Sequence, residues 1–421
     1  MRRQLEGSQA VAQAVARCRP QVVSAYPISP QTHIVEGLSD LVRTGELHPC
    51  EYLMVESEFG ALSAAIGASA AGARTYTATA SQGLLFMAEA LYNASGLGLP
   101  IVMTVANRAI GAPINIWNDH SDVMSQRDCG WIQLFAESNQ EAVDLHLQAY
   151  ALAEELSLPV MVSMDGFVLT HAVEPVDVPS QAEVDAFLPA FEPRQVLDPD
   201  DPLTIGAMVG PEAFTEVKVL MHAKQMQALD VVPRIASEFA ERFGRGSGGL
   251  LRSYPYPVDG AETIVVALGS VLGTIDEVVD ELRADGVDVG SLGIRCFRPY
   301  PLDEIRRALS HAKRVVVVER AFAIGIGGIV GQNVRLALAG LPVPVYDVVA
   351  GLGGRAVTKR SLRALLTDVI TERIEPHRLT FLDLNHDLLD RELGRMGERR
   401  RSGPHAENIL RDLGVVAAGS H

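Results

Sequence analysis

Cysteine is scarce. The chain has only Cys18, Cys50, Cys129 and Cys296, far apart and with no C-x-x-C pair. That spacing offers neither a zinc knuckle nor a self-contained iron–sulfur cluster, so any redox chemistry must draw its electron carriers from elsewhere. Positive charge is also short, with 36 Lys and Arg against 52 Asp and Glu for a net of −16. A nucleic-acid backbone or an anionic membrane is therefore excluded as the main partner, while small anions can still meet local arginines. No apolar run reaches the ~18 residues of a membrane-spanning helix. The opening "MRRQLEGSQA" lacks the apolar segment of a secretory signal, so the expected address is the cytoplasm.

What is present is apolar and well ordered: 48% of 421 residues are hydrophobic, enough to fill two or three cores. From residue 20 to 170, short β-branched runs alternate with Ala- and Leu-rich stretches, the pattern of a parallel sheet covered by helices. The strand candidates are "PQVVSAYP", "EYLMVES", "RTYTATAS", "LPIVMTVAN" and "LPVMVSMDG", with helices expected near 58–72, 83–96 and 139–156. An irregular extension begins at about residue 172 and contains one long helix, "FTEVKVLMHAKQMQALDVVPRIASEFAERF". A Gly-Ser linker over 246–258 closes this first domain, 1–245. A smaller α/β domain follows over 259–372, with strands in "ETIVVALGS", "VDVGSLGIRCF", "RVVVVER" and "VPVYDVVAG"; the charged tail, 373–421, reads as a solvated or partner-contacting helix.

In open α/β sheets, ligands bind beyond the carboxyl ends of the strands. Those ends are Tyr26 to Ser29, Glu56 to Glu58, Ser81 to Gly83, Asn107 with Arg108, and Asp165. Glu58 has two readings: a first-turn acid favoured by its helix dipole, or a functional carboxylate. The small residues behind it, Gly60, Ala61, Ser63, Ala64, Ala65 and Gly67, permit tight helix packing or the approach of a flat ligand. "GASAAG" misses the nucleophile-elbow pattern, because Ala71 stands where its last glycine belongs and Ser69 falls inside a helix. "AIGIGGIVG" misses the dinucleotide fingerprint at Val330. "WNDHSD" invites a metal, yet Asp119, His120 and Asp122 lack helical ligand spacing, and a hydrogen-bonded loop covering a site is the preferred reading.

Taken in order, "SAYPISPQT", "VESEFGALSAAIGASAAGARTYTATASQGLLFMAEALY", "PIVMTVANRAIGAPINIWNDHSDVMSQRDCGWIQLFAE" and "LPVMVSMDGF" resemble the alpha subunits of the 2-oxoacid:ferredoxin oxidoreductases, most of all the pyruvate branch. "ALGS", "FRPYP", "VVVVER" and "GLGGR" are similar to that family's transketolase-C-terminal-like domain, and the resemblance runs from Glu6 to about residue 370. It implies a thiamine diphosphate enzyme that decarboxylates a 2-oxoacid, forms an acyl-coenzyme A and passes electrons to ferredoxin. The first domain would then be the pyrimidine-binding one.

By that resemblance Glu58 would hydrogen-bond the pyrimidine ring nitrogen and stabilise its imino tautomer, a proton relay carried through the cofactor. Glu56, two residues earlier on a strand, is the reserve candidate. Arg108 matches the arginine that holds the substrate carboxylate, a task its planar guanidinium suits. Ser29 matches a hydroxyl position near the substrate carbonyl, commonly threonine in the family. Ile28 and Pro30 would shape the same cofactor wall, and Asn115, Trp117 and Asp119 would shape the site from a loop. The chain carries no G-D-G with a following asparagine, so Mg-diphosphate and the iron–sulfur clusters are expected on a beta subunit, with gamma and delta subunits completing the assembly. The alternatives are a branched-chain or aromatic 2-oxoacid enzyme, a non-catalytic scaffold of the same fold, and a binding module that acts alone.

Overall fold

The computed structural model describes residues 2–202, 204–252, 260–395 and 405–415. The linker expected over 246–258 and the charged "GERRRSG" of the tail therefore fall partly or wholly outside the described residues.

Among the described residues fifteen strands run in chain order: β1 (Arg3–Glu6), β2 (Val22–Ala25), β3 (Glu51–Met54), β4 (Thr75–Thr79), β5 (Ile101–Asn107), β6 (Ile132–Phe135), β7 (Val160–Asp165), β8 (Val173–Val176), β9 (Leu251–Arg252), β10 (Thr263–Ala267), β11 (Val289–Ile294), β12 (Cys296–Arg298), β13 (Arg314–Glu319), β14 (Val345–Val349) and β15 (Thr380–Phe381). A seven-stranded sheet has the order β12-β6-β7-β5-β4-β2-β3, and a six-stranded sheet has the order β15-β14-β13-β10-β11-β9. Both are parallel except at one edge, where β12 and β9 run antiparallel to their neighbours. The central strands β4, β5 and β7 are buried on both faces, which explains their unbroken apolar runs. β3 is an edge strand and largely exposed. β1 and β8 form a separate antiparallel pair.

The parallel α/β architecture expected from the alternation is the one observed. The long helix is one element, Phe214–Phe243, with Pro233 inside it. The stretch expected as one helix over 83–96 is two, Ser81–Phe86 and Ala88–Leu97, meeting at Met87. β6 carried no signal of its own, being four residues with Gln133 inside. "VDVGSLGIRCF" is not one strand. It breaks at Arg295, whose guanidinium meets Glu141 at 2.5 Å while its carbonyl accepts Phe135 N–H at 2.8 Å. The chain thereby leaves the six-stranded sheet and adds β12 to the other. No helix of the described residues is long and apolar enough to cross a membrane.

The two sheets also meet through one carboxylate. Asp165, at the end of β7, accepts His120 Nε2 at 2.6 Å, Ser270 N–H at 3.0 Å and Arg320 Nη1 at 3.0 Å, and also the Ser270 hydroxyl. Ser270 and Arg320 follow β10 and β13, so the carboxyl ends of strands from both sheets face one another here. Burial alone would raise the Asp165 pKa, but the His120 imidazole, the Arg320 guanidinium and the Ser270 hydroxyl outweigh it and hold the carboxyl well below the usual carboxylate range.

Candidate active site

Glu58 begins the helix Glu58–Ala70. The Ser57 hydroxyl caps that helix by accepting Gly60 N–H at 3.1 Å. Ser57 is extended, so the chain turns sharply from the β3 edge into the helix and presents Glu58 at the dipole's positive end. Its side chain is buried, and among the described residues it has neither a hydrogen-bond nor an ion-pair partner. Gly83 packs directly against it, where a Cβ would lie 2.7 Å from Glu58 Oε1 and 2.6 Å from Thr79 Oγ1. Thr79 Oγ1 is itself buried without a partner. Gly83 thus sits between a buried acid and a buried hydroxyl, neither of which has a partner among the described residues. Glu56 is placed differently from what a strand would give: β3 ends at Met54, Glu56 is exposed, and its carboxylate lies beside Gly60, 3.2 Å from where a Cβ would be.

Arg108, immediately after β5, is buried. Its Nη1 donates to Ser29 O at 2.8 Å and its Nε to Asn115 O at 3.2 Å. Burial lowers its pKa, partly offset by Asp122. The Ser29 side is exposed, whereas Pro30 is buried and lies 2.6 Å from where a Cβ on Gly166 would project. Ile28 N–H donates to Gln31 Oε1 at 3.2 Å, and Gln31 Nε2 donates to Ala78 O at 2.8 Å. Gln31 thus ties the Ile28–Pro30 wall to β4. Sequence reading passed over it because a glutamine after a proline carries no signal of a partner 47 residues away.

The residue that joins these parts is Asp122. Its carboxylate is fully buried and accepts Ser81 N–H at 3.0 Å, Arg108 N–H at 2.9 Å, Asn107 Nδ2 at 3.0 Å and Val123 N–H at 2.7 Å. Burial pushes it up to about 6 against the pull of those donors. Glu58 is therefore linked to Arg108 through the Gly83 and Ser81 turn and through Asp122, and Arg108 in turn to Ser29.

The three polar groups of "DHSD" go to separate partners. Asp119 accepts Ser121 N–H at 2.9 Å and Gly353 N–H at 3.1 Å, His120 goes to Asp165, and Asp122 to the strand ends. They do not converge on a point where one ion could sit. They act as the hydrogen-bonded loop read from the sequence. Asn115 Nδ2 donates to Gly353 O at 3.1 Å, and a Cβ on Gly354 would meet Trp117 Cβ at 2.4 Å. The loop is thereby clamped to the "GLGGR" turn after β14.

Around the buried acid the rim is apolar: Tyr26, Met54 and Phe86, all exposed, stand at or just beyond the ends of β2, β3 and the Ser81–Phe86 helix. The other near-motif is also resolved. At the start of the helix Ile329–Ala337, where a dinucleotide phosphate would bind, the Glu319 carboxylate accepts Ile329 N–H at 2.7 Å, Val330 N–H at 2.8 Å and Gly331 N–H at 3.0 Å.

A family model described as pyruvate flavodoxin/ferredoxin oxidoreductase, thiamine diP-binding, matches residues 13–237, and one described as pyruvate:ferredoxin oxidoreductase core domain II matches residues 261–362. The pyruvate synthase subunit PorA of Methanosarcina barkeri is 48% identical over 394 residues, covering 91% of this chain and 97% of that protein. The ketoisovalerate oxidoreductase subunit VorA of Pyrococcus horikoshii is 39% identical over 368 residues, covering 87% and 93%. A solved 2-oxoglutarate:ferredoxin oxidoreductase from Magnetococcus marinus, with 2-oxoglutarate, coenzyme A and succinyl-CoA bound, shares the fold. It has a TM-score of 0.66 at 18% identity and covers 88% of this chain, which spans 65% of that longer one. The match over most of the sequence and the thiamine diphosphate-binding domain within it identify the chain as a member of the pyruvate flavodoxin/ferredoxin oxidoreductase family.

Proposed function

We propose that this chain is the alpha-type subunit of a thiamine diphosphate enzyme that converts pyruvate and coenzyme A to acetyl-CoA and carbon dioxide, sending two electrons to ferredoxin, or runs the reverse. The observation that carries the reading is Glu58: a buried carboxylate without a protein partner, at the start of its helix and packed against the bare backbone of Gly83. The ring nitrogen of a neutral, planar aminopyrimidine accepts the proton that a buried carboxylic acid donates, so the pair adds no net charge. When bound, thiamine diphosphate supplies a nucleophilic carbon and an electron sink.

The chain's own residues do the rest. Glu58 holds or releases a proton at the pyrimidine ring nitrogen. The Ile28–Pro30 wall orients the ring and keeps water from its face. Arg108, cationic and already desolvated, pairs with the 2-oxoacid carboxylate. Its remaining donors favour a planar two-oxygen anion, and the Ser29 hydroxyl would meet the substrate carbonyl. The apolar rim around Glu58 supports a second subunit closing the site, one that brings magnesium, diphosphate contacts and iron–sulfur clusters. Gamma and delta subunits would complete a hetero-oligomer in the cytoplasm.

A branched-chain reading is kept by the ketoisovalerate relative, whose identity to this chain is only moderately lower than that of the pyruvate one. The test is the assembled enzyme, purified anaerobically with its partners and assayed against a panel of 2-oxoacids with coenzyme A and ferredoxin. Pyruvate turnover that falls more than about 100-fold in Glu58→Gln, with assembly intact, supports the proposal. Preference for ketoisovalerate moves the assignment to the branched-chain class, and an assembled complex without turnover on any 2-oxoacid makes the chain a scaffold.

A further inference from the structure

A second constellation lies behind the substrate wall and has no part in the chemistry above. Glu6 ends β1, His33 stands in the first turn of the helix Thr32–Arg43, and His171 lies in the segment between β7 and β8. Antiparallel pairing of β1 with β8 sets Glu6 opposite Val173, two residues beyond His171. The helix bearing His33 starts just after Ser29 and Pro30, which brings its first turn to the same place. One ligand atom from each of the three residues lies within 4.8 Å of the other two.

The donor set is specific. His33 Nδ1 meets Glu6 Oε1 at 2.6 Å, and the two imidazole rings stack with centroids 4.7 Å apart. His171 Nδ1 is engaged by the Thr170 hydroxyl at 2.8 Å, which fixes the ring and leaves Nε2 for a ligand. Thr170 is fully buried and anchored in turn, its hydroxyl accepting Phe167 N–H at 2.8 Å and its carbonyl accepting Ser8 N–H at 2.9 Å. Rings held by such outer contacts are oriented before any ion arrives.

From this geometry we propose that Glu6, His33 and His171 bind a divalent first-row transition cation, for which Zn(II) is the probe. Two imidazoles and one carboxylate are the ligands of borderline cations, whereas calcium and magnesium take oxygen. Partial exposure of all three leaves room for water in the remaining position. A bound ion would fasten three segments at one point: the first strand and the turn after Asp165, which already share backbone hydrogen bonds, and the start of the helix after Pro30. The same turn carries Phe167, whose ring packs at a tilt against His171 and Trp117, with centroids 4.7 Å and 4.8 Å away. The clamp would thus steady the wall bearing Ser29 without touching substrate.

The full chain, stripped with a chelator and dialysed, is titrated with Zn(II) by calorimetry and with Co(II) by visible absorption, and its melting temperature is followed. The expected result is one equivalent per chain, a Co(II) spectrum displaced by Zn(II), and a rise in melting temperature. His33→Ala and His171→Ala should each weaken binding at least about tenfold, whereas His222→Ala, on the exposed long helix, should not. If an alanine variant fails to fold, Glu6→Gln and His171→Gln preserve hydrogen bonding and give the same comparison. Absence of saturable binding, or binding that survives loss of both histidines, overturns the proposal.

Discussion

Asp122 Oδ2 accepts the backbone N–H of Arg108 at 2.9 Å and that of Ser81 at 3.0 Å, so one buried oxygen fixes the exits of two adjacent strands. Asp122→Asn keeps the volume but turns one oxygen into a donor that faces other donors. The variant should assemble, lose roughly 1–3 kcal/mol of stability, and lose pyruvate kcat/KM by roughly 10- to 100-fold with most of the change in KM. Steady-state kinetics of the assembled enzyme and thermal unfolding check this. A loss confined to stability, with kinetics intact, would show that Arg108 is positioned without Asp122.

Much of the site was legible because local chemistry marked it. A strand that stops at Met54 shortly before Glu58, a serine cap and a run of small residues behind it are all local, and so is the arginine after β5. What escaped was non-local. Gly83 has no property in the sequence that says which carboxylate faces it, and Asp122 has donors up to 41 residues away. Glu319 was unreadable as the anion at its helix terminus for the same reason, since the chain supplies from β13 what a phosphate would supply. The crossing at Arg295 was missed because strand periodicity says nothing about which sheet a strand joins.

Gly83→Ala isolates the close contact with Glu58. A Cβ 2.7 Å from Glu58 Oε1 and 2.6 Å from Thr79 Oγ1 cannot be housed without moving the carboxylate. The substitution adds helix propensity, worth about 1 kcal/mol in an unconstrained helix, so stability should change little. Thiamine diphosphate affinity and turnover of the assembled enzyme should nevertheless fall at least about tenfold, because catalytic groups misplaced by about 1 Å are costly. Full activity in Gly83→Ala would remove Glu58 from the cofactor wall.

Asp165→Asn tests the junction between the sheets. It leaves the Arg320 guanidinium buried without its anion, a loss of about 3–5 kcal/mol. The wild-type carboxyl is held below its ordinary value of 3.8, so its stabilising effect is complete above that pH and disappears as pH falls toward the folded value. The difference in melting temperature between wild type and Asp165→Asn should therefore be flat from neutral pH down to about 5 and shrink at lower pH. A difference that grows on acidification would contradict the assigned ion pairs.

Glu319 predicts a slope of the opposite sign. Burial pushes it up to about 7 against three backbone N–H donors, above its ordinary 4.5. The folded chain then binds this proton more tightly than the unfolded chain, so the group's contribution is most favourable below 4.5, declines as pH rises to about 7, and is constant beyond. At about 1.4 kcal/mol per unit the decline is at most about 3.5 kcal/mol. Glu319→Gln does not titrate, so relative to wild type it should gain stability between pH 5 and pH 8, measured as paired melting curves. A pH-independent difference would mean that the helix terminus keeps the carboxylate ionised throughout, with the three N–H donors outweighing burial. Either outcome fixes the sign of charge at the one place where the sequence came near a nucleotide fingerprint.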